Sequence, residues 1–271
     1  MWRSWLWRAA QLLLSLICAI LFACALSALS RPSHNTLGYG QNLAASVIDI
    51  VRGRFGTSIV TSRLALTDVS AAWPVTFGLA MSGGATALTL GIPLGILLTH
   101  RRMLTAIGPF MQIVSAVPVF VMCLLLVWWN VRATGNAFAG VLPSLIVGSA
   151  GAAYLQILLR RASAMVSNAP YRTGLRMMGL SAIDIDMRYV LPEIIAAVCD
   201  AFGEFVLVLL SATAIVEFIF SIPGAASLFF ASAELHDWSV IALVLFVFAS
   251  VKLIADFIGW AIAHMLVVAQ P

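Results

Sequence analysis

Four stretches of this chain run without a single charged residue: Ala9–Ser30, Val69–Thr99, Met103–Val131 and Ala133–Leu159. A helix crosses about 30 Å of hydrocarbon with about 20 mostly apolar residues, so each run is long enough to span a membrane. Two further spans carry charges inside them, roughly Pro192–Phe220 and Trp238–Val268. The expected architecture is an all-α membrane protein with six transmembrane helices. The second run exceeds what a span requires, so its start lies on the outer surface or the helix tilts.

Composition closes the other classes. Only 10% of the 271 residues are charged and 62% are hydrophobic, whereas soluble domains are near 25% charged. A soluble enzyme, a nucleic-acid module and a disordered tail are excluded. The net charge of +4 is a topology signal on membrane-flanking segments, with no nucleic-acid partner implied. Cys18, Cys24, Cys123 and Cys199 all fall in apolar runs with no CxxC spacing, so neither a disulfide nor a metal site is expected.

The first run follows Arg3 and Arg8, as in a signal peptide, but it is longer than the usual apolar core of about 7–15 residues. It is read as an uncleaved helix, residues 1–30. With the N-terminus inside, cytoplasmic segments hold Arg3, Arg8, Arg101, Arg102, Arg160, Arg161, Arg172, Arg176 and Arg188. Arg31, Arg52, Arg54, Arg63 and Arg132 then fall outside. The excess of inside arginine places both termini in the cytoplasm. An outer segment then covers residues 31–68, and the remaining spans form a core over 69–268. That core includes an inside loop at 160–191 and an outer stretch at Ser221–Asp237, where Pro223-Gly224 breaks a helix. Gly91 and Gly95 form a GxxxG in the second span, a spacing that suits close helix packing.

Chemistry is sparse. The single lysine, Lys252, follows Val251, so no Gly-Lys-Ser/Thr phosphate loop exists in the chain. ATP-driven work would need an ATPase on another chain. There is no HExxH and no Gly-x-Ser-x-Gly, so membrane protease and esterase chemistry has no support.

The inside loop is more structured than a solvated connection requires. Tyr171, Leu175 and Met178 fall at i, i+4 and i+7 and predict one apolar stripe, with Arg172 and Arg176 on a neighbouring face. Gly179 offers a helix stop, and Ser181-Ala-Ile-Asp184 has the form of a capping box that restarts a helix. An apolar stripe facing the cytoplasm suits a protein partner and the lipid interface equally well.

Tyr171-Arg-Thr-Gly-Leu-Arg-Met-Met-Gly179-Leu-Ser181, followed by Arg188-Tyr-Val-Leu-Pro192, resembles the EAA loop of ABC-importer permeases. It is most similar to the dipeptide/oligopeptide branch, with its Tyr-Val-Arg-Thr-Ala-Arg-Ala-Lys-Gly-Leu-Ser. Further segments of that branch match in order: Gly53-Arg-Phe-Gly-Thr-Ser58, Trp73-Pro-Val-Thr-Phe77, Leu90-Gly-Ile-Pro-Leu-Gly95 and Ser115-Ala-Val-Pro-Val-Phe120. Ala214-Ile-Val-Glu-Phe-Ile-Phe-Ser-Ile-Pro-Gly224 and His236-Asp237 complete the series. The resemblance covers roughly residues 50–265 and implies the six-helix type I (MetI-like) permease fold.

It also implies a mechanism. Two permeases pair to form a pore, in this branch two related but different chains. Each docks its loop into a groove on a cytoplasmic ATPase, which supplies ATP and Mg²⁺, and a periplasmic binding protein delivers the cargo. No cofactor would be bound by this chain, which is not itself an enzyme. The setting is a bacterial inner membrane. By position, Tyr171, Arg172, Arg176, Gly179, Leu180 and Ser181 would carry the coupling. Val166 stands where an acidic residue is common, Gly174-Leu175 replace Thr-Ala, Met178 replaces Lys and Arg54 replaces an acid. Such departures would suit one dedicated ATPase.

Charges within spans are costly and usually face the bundle interior. Asp200 and Glu204 lie four apart on the fifth span, as do Lys252 and Asp256 on the sixth. At about 1.5 Å per residue from Pro192, Glu204 is roughly 18 Å in, near the midplane. Asp256 and Glu217 match acidic positions of the family, and Glu217 is a candidate for the outer gate. Asp200, Glu204 and Lys252 do not match. They fit two readings: a structural pairing of Lys252 with Asp256 or the fifth span, and a pathway in which Asp200 and Glu204 attract a cationic group such as a peptide amine. Peptides or peptide-like solutes are the implied cargo, with nickel chelates, glutathione and other small solutes as alternatives. From a different class, a proton-coupled secondary transporter would use the same four charges as its relay.

Overall fold

The computed structural model describes residues 2–29, 48, 52–53, 55–97, 117–133, 141–167 and 169–268. The first half of the expected third span, at 103–116, lies outside the described residues, as do Arg31, Arg54, Arg101 and Arg102. The helices are α1 (Trp2–Leu29), α2 (Ala65–Leu97), α3 (Val119–Ala133) and α4 (Leu142–Ser167). Two short helices follow, α5 (Tyr171–Met177) and α6 (Ala182–Ile185), then a π-helical turn at Asp186–Val190. The chain continues as α7 (Leu191–Asp200), α8 (Phe202–Phe220), α9 (Ala225–Glu234) and α10 (Trp238–Val268). Four of these contain stretches long and apolar enough to cross a membrane: Ala65–Ile96, Leu142–Val166, Phe202–Phe220 and Trp238–Leu266. Shorter apolar stretches lie in α1 (Leu14–Ala25) and α3 (Val119–Trp129).

Three expected boundaries move. Helix α4 does not stop at Leu159 but continues through Arg160 and Arg161 to Ser167. Its last turns are amphipathic, with Ala162 and Val166 buried while Arg161, Ala164 and Met165 are exposed. Helix α2 begins at Ala65, four residues before its charge-free run, and takes Asp68 into its first turn, where a carboxylate complements the helix dipole. The fifth span is two helices, separated at Ala201, where ψ rises to 9°. The amide of Ala201 still donates to the Ala197 carbonyl and that of Phe205 to the Ala201 carbonyl, so the helical progression carries on through the irregular residue.

The chain divides into two compact units, residues 1–78 with 213–254 and residues 79–212 with 255–271. In the first, Ala65 and Val69 of α2 pack with Val240, Leu243 and Val244 of α10, flanked by Phe55, Leu228 and Phe229. Ala23 and Cys24 of α1 pack against Ala242, with Phe55 and Phe246 alongside at a ring separation of 5.6 Å. Among the described residues, this unit holds buried apolar side chains from α1, α2, α8, α9 and α10.

The second unit is built on small residues. Gly91 and Gly95 of α2 face α4, where a Cβ at Gly91 would stand 2.9 Å from the Ala152 Cα and one at Gly95 2.5 Å from Leu159 Cδ1. Gly83 and Gly148 leave no room for a side chain against Val147 and Thr86 respectively. On α10, Gly259 lies against the Cys199 carbonyl of α7. In lipid, where apolar tails give helices little hydrophobic reason to associate, such close approach is a main source of packing energy. The GxxxG spacing is therefore an interface between α2 and α4. Because the atom facing Gly91 is backbone, Gly91→Val is expected to cost about 1–3 kcal/mol, the usual range for overpacking. Gly78→Val, where a Cβ meets nothing within 4 Å, is the control. Thermal melting of the purified protein in detergent should show a lowered Tm for the first variant alone.

Candidate coupling site

The segment between α4 and α7 folds through its glycine. Gly179 adopts φ +85°, a left-handed conformation that glycine takes without penalty. The amide of Leu180 then donates to the Leu175 carbonyl at 3.3 Å and that of Gly179 to the Arg176 carbonyl at 3.0 Å. These two bonds are the Schellman closure of a helix C-terminus, whose usual companion is an apolar contact across the turn. Leu175 and Leu180 supply the apolar part, packing with Ile194 onto a buried cluster of Val166, Ile185 and Val190. Two residues after Gly179, the Ser181 hydroxyl accepts the Asp184 amide at 3.2 Å and donates to the Asp184 carboxylate at 2.6 Å. The expected cap is present, with its second bond made side chain to side chain.

The apolar stripe divides. Leu175 turns inward, while Met178 is the residue that closes α5 and is 75% exposed. A different apolar surface faces out: Met177 at 82%, Met178 at 75%, Ile183 at 73% and Met187 at 62% exposure. Arg176 and Arg188 are exposed beside it. Arg172 does not join them; its guanidinium bonds the Asp186 carboxylate at 2.7 Å. The Tyr171 hydroxyl donates to Glu193 of α7 at 2.7 Å. Partial burial, the bond to Glu193 and the Glu193 charge push the Tyr171 phenol up to about 12, against a smaller opposing effect of Arg172. The phenol therefore stays protonated and donating throughout the physiological range. The ordering contributed by this bond is fully present below the ordinary tyrosine value near 10 and is lost as pH rises through about 12.

The charges on the spans fall into different surroundings. Asp200 and Glu204 are both exposed, on one face of α7 and α8 that continues through exposed Leu207 and Ser211. Lys252 and Asp256 are half-buried on α10. The Asp256 carboxylate occupies the space that a side chain at Gly203 would fill. Glu217 is fully buried and its Oε2 accepts the amides of Ala226 at 2.9 Å and Ser227 at 3.1 Å. Those are first-turn donors of α9, left without partners at any helix start. The Ala225 amide donates to Thr76 Oγ1 at 2.7 Å. Gly224 stands at the capping position because a Cβ there would collide with the Glu217 carboxylate.

The family model for the inner membrane component of binding-protein-dependent transport systems matches residues 87–267. The chain belongs to this family. It is 27% identical over 218 residues to the dipeptide transport system permease protein DppB of Lactococcus lactis subsp. cremoris (strain MG1363), covering 74% of this chain and 71% of that one. To the glutathione transport system permease protein GsiC of Escherichia coli (strain K12) it is 25% identical over 214 residues, covering 75% and 70%. A solved structure of the MetNI methionine ABC transporter, in inward-facing conformations, superposes with a TM-score of 0.59 at 15% identity, covering 74% of this chain and 97% of that one. The fold is the MetI-like permease fold. The chain is a transport subunit of an ABC importer, a component of the inner membrane, and its family works with a binding protein and a separate ATPase.

Several residues of this permease site carry no signal in the sequence on their own. Asp186 and Glu193 are polar residues next to a span, and only the fold shows that they receive Arg172 and Tyr171. Asp237, in the first unit, lies in a matched motif that does not show its partners: fully buried, it accepts the Ser58 hydroxyl at 2.5 Å and the Ile59 amide at 3.0 Å, fastening the loop 55–64 to the start of α10. Its pairing joins two of the matched motifs, Gly-Thr-Ser58 and His236-Asp237.

At Gly179 a Cβ would meet nothing within 4 Å, so a substitution there acts through backbone conformation alone. A left-handed non-glycine residue costs about 1–2 kcal/mol, least for asparagine. ATP-dependent uptake is expected to fall in the order Gly179, Gly179→Asn, Gly179→Ala. Equal uptake by all three would show that the turn is dispensable.

Proposed function

We propose that this permease forms half of the translocation pore of an importer for peptides or peptide-like solutes, and that its exposed Met177–Met178–Ile183–Met187 surface docks into a groove on the ATPase. The surface is the observation that carries the docking. Methionine side chains are flexible and polarizable and fit apolar grooves of irregular shape. The four side chains protrude from a segment whose Leu175, Leu180, Ile185 and Val190 are packed inward, which presents them on a shaped support. The matched EAA-type motif lies on the same segment. The peptide cargo is supported by similarity to a dipeptide permease and to a glutathione permease.

In this reading Arg176 sits at the docking surface, while Gly179, Leu180 and Ser181 shape it. Arg172 and Tyr171 act from behind. The ATPase binds ATP and Mg²⁺; no step of that chemistry belongs to this chain. The second half of the pore is a related but different permease, and a periplasmic binding protein supplies the cargo. Both termini are cytoplasmic, in keeping with the arginine distribution. Asp200 and Glu204 line the pathway, where their exposed face suits an aqueous route and a cationic group on the cargo. Glu217 serves the outer gate by holding α9 in place.

The test is recovery of partner chains. Tagged protein, extracted in mild detergent from cells expressing its whole operon, is expected to bring down an ATPase and a second permease. Met177→Asp with Met178→Asp places two charges on the apolar surface and is expected to lower ATPase recovery about tenfold or more, as loss of a central interface residue does, while the second permease is retained. Undiminished ATPase recovery would reject this surface as the dock.

A further inference from the structure

Helix α5 has only seven residues, too few to be stable alone in water. Its orientation must come from contacts. Leu175 and Leu180 hold it to the Val166–Ile185–Val190 cluster, but apolar contacts are non-directional and would let a short helix roll. Two directional bonds prevent that. Adjacent residues of α5 reach two consecutive downstream elements: Arg172 to Asp186 at 2.7 Å and Tyr171 to Glu193 at 2.7 Å. Asp186 opens the π-helical turn and Glu193 lies in the first turn of α7 just beyond it. The two bonds therefore straddle the turn. A π-helical turn is a wide, less regular piece of helix that is often found at functional sites, and here it carries Met187 of the docking surface and joins the rest of that surface to the root of the fifth span.

We propose that Asp186 and Glu193 are positioning residues for coupling, which with Arg172 and Tyr171 form a two-point strut across the π-helical turn. The strut makes α5 and α7 move as one body. Displacement of the docking surface then reaches the fifth span instead of being absorbed in the turn. Neither acid touches the ATPase or the cargo. The inference rests on the docking reading, and extends it by separating the residues that contact the partner from those that deliver its motion. Arg172 and Tyr171 belong to the second group, and Met177, Met178 and Met187 to the first.

The whole importer, expressed from its operon and reconstituted in proteoliposomes, tests this. Asp186→Arg is expected to lower ATP-dependent uptake of a dipeptide mixture by about fivefold or more, the lower bound of a typical coupling free energy, while the ATPase is recovered in the normal ratio. The exchange Arg172→Asp with Asp186→Arg restores the ion pair and is expected to recover most of the uptake. For the second point, Tyr171→Phe removes one oxygen and disturbs folding little. Tyr171→Phe, Glu193→Ala and the double variant should each lower uptake by the same factor, the non-additivity of a shared contact. Normal uptake by Asp186→Arg, or no recovery on exchange, overturns the strut. Loss of the ATPase from Asp186→Arg also overturns it, by moving Asp186 into the dock and leaving the docking reading intact. Failure of the unaltered chain to bring down an ATPase instead refutes the docking reading beneath it.

Discussion

A backbone N–H or C=O left without a partner in a membrane-embedded chain costs several kcal/mol, and this requirement shapes the two described helix starts at α9 and α10. Where α9 begins, the fully buried Glu217 carboxylate takes the amides of Ala226 and Ser227, and Thr76 takes that of Ala225. Pro223 lacks an amide, and Gly224 leaves room for the carboxylate to approach. Where α10 begins, Asp237 reaches across to Ser58 and Ile59, and the Ser58 hydroxyl in turn accepts the amides of Val60 and Thr61. A chain with few charges places two of its acids, fully buried, at the two breaks of one compact unit.

The second unit meets a different demand. Between α2 and α4 glycines pack against the Ala152 backbone and against the side chains of Val147, Thr86 and Leu159, an interface intolerant of added volume. The segment that follows α4 is held by three kinds of contact at once: a Schellman turn at Gly179, a small apolar cluster, and the bonds of Arg172 and Tyr171. Firm packing beneath an exposed methionine surface is what a docking element needs. The surface can adapt to a partner groove while its support keeps its shape.

Much of this was legible in the order of residues, because hydropathy and helix-stop signals are local. Charge-free runs marked the second and fourth spans, apolar runs with charges inside them marked the fifth and sixth, Pro223-Gly224 and Gly179 marked breaks, and Ser181 with Asp184 marked a restart. What could not be read was direction. A seven-residue helix has too few turns for periodicity to separate the side chain that turns inward, Leu175, from the one left outside, Met178. Nor does sequence spacing reveal contacts across 14 or 22 residues, as between Arg172 and Asp186 or Tyr171 and Glu193. Helix α4 overran its apolar run because its last turns bury only one face. The role of Glu217 as a helix cap follows from nine-residue proximity around a proline, which no helical period encodes.

The most direct measurement is the energy source of transport. The purified importer, in proteoliposomes with its binding protein and a dipeptide mixture on the outer side, is given either ATP on the ATPase side or a proton gradient without nucleotide. Uptake that requires ATP hydrolysis and ignores the gradient is the predicted result. Uptake driven by the gradient in the absence of ATP would contradict the account and turn Asp200, Glu204, Lys252 and Asp256 into a proton relay.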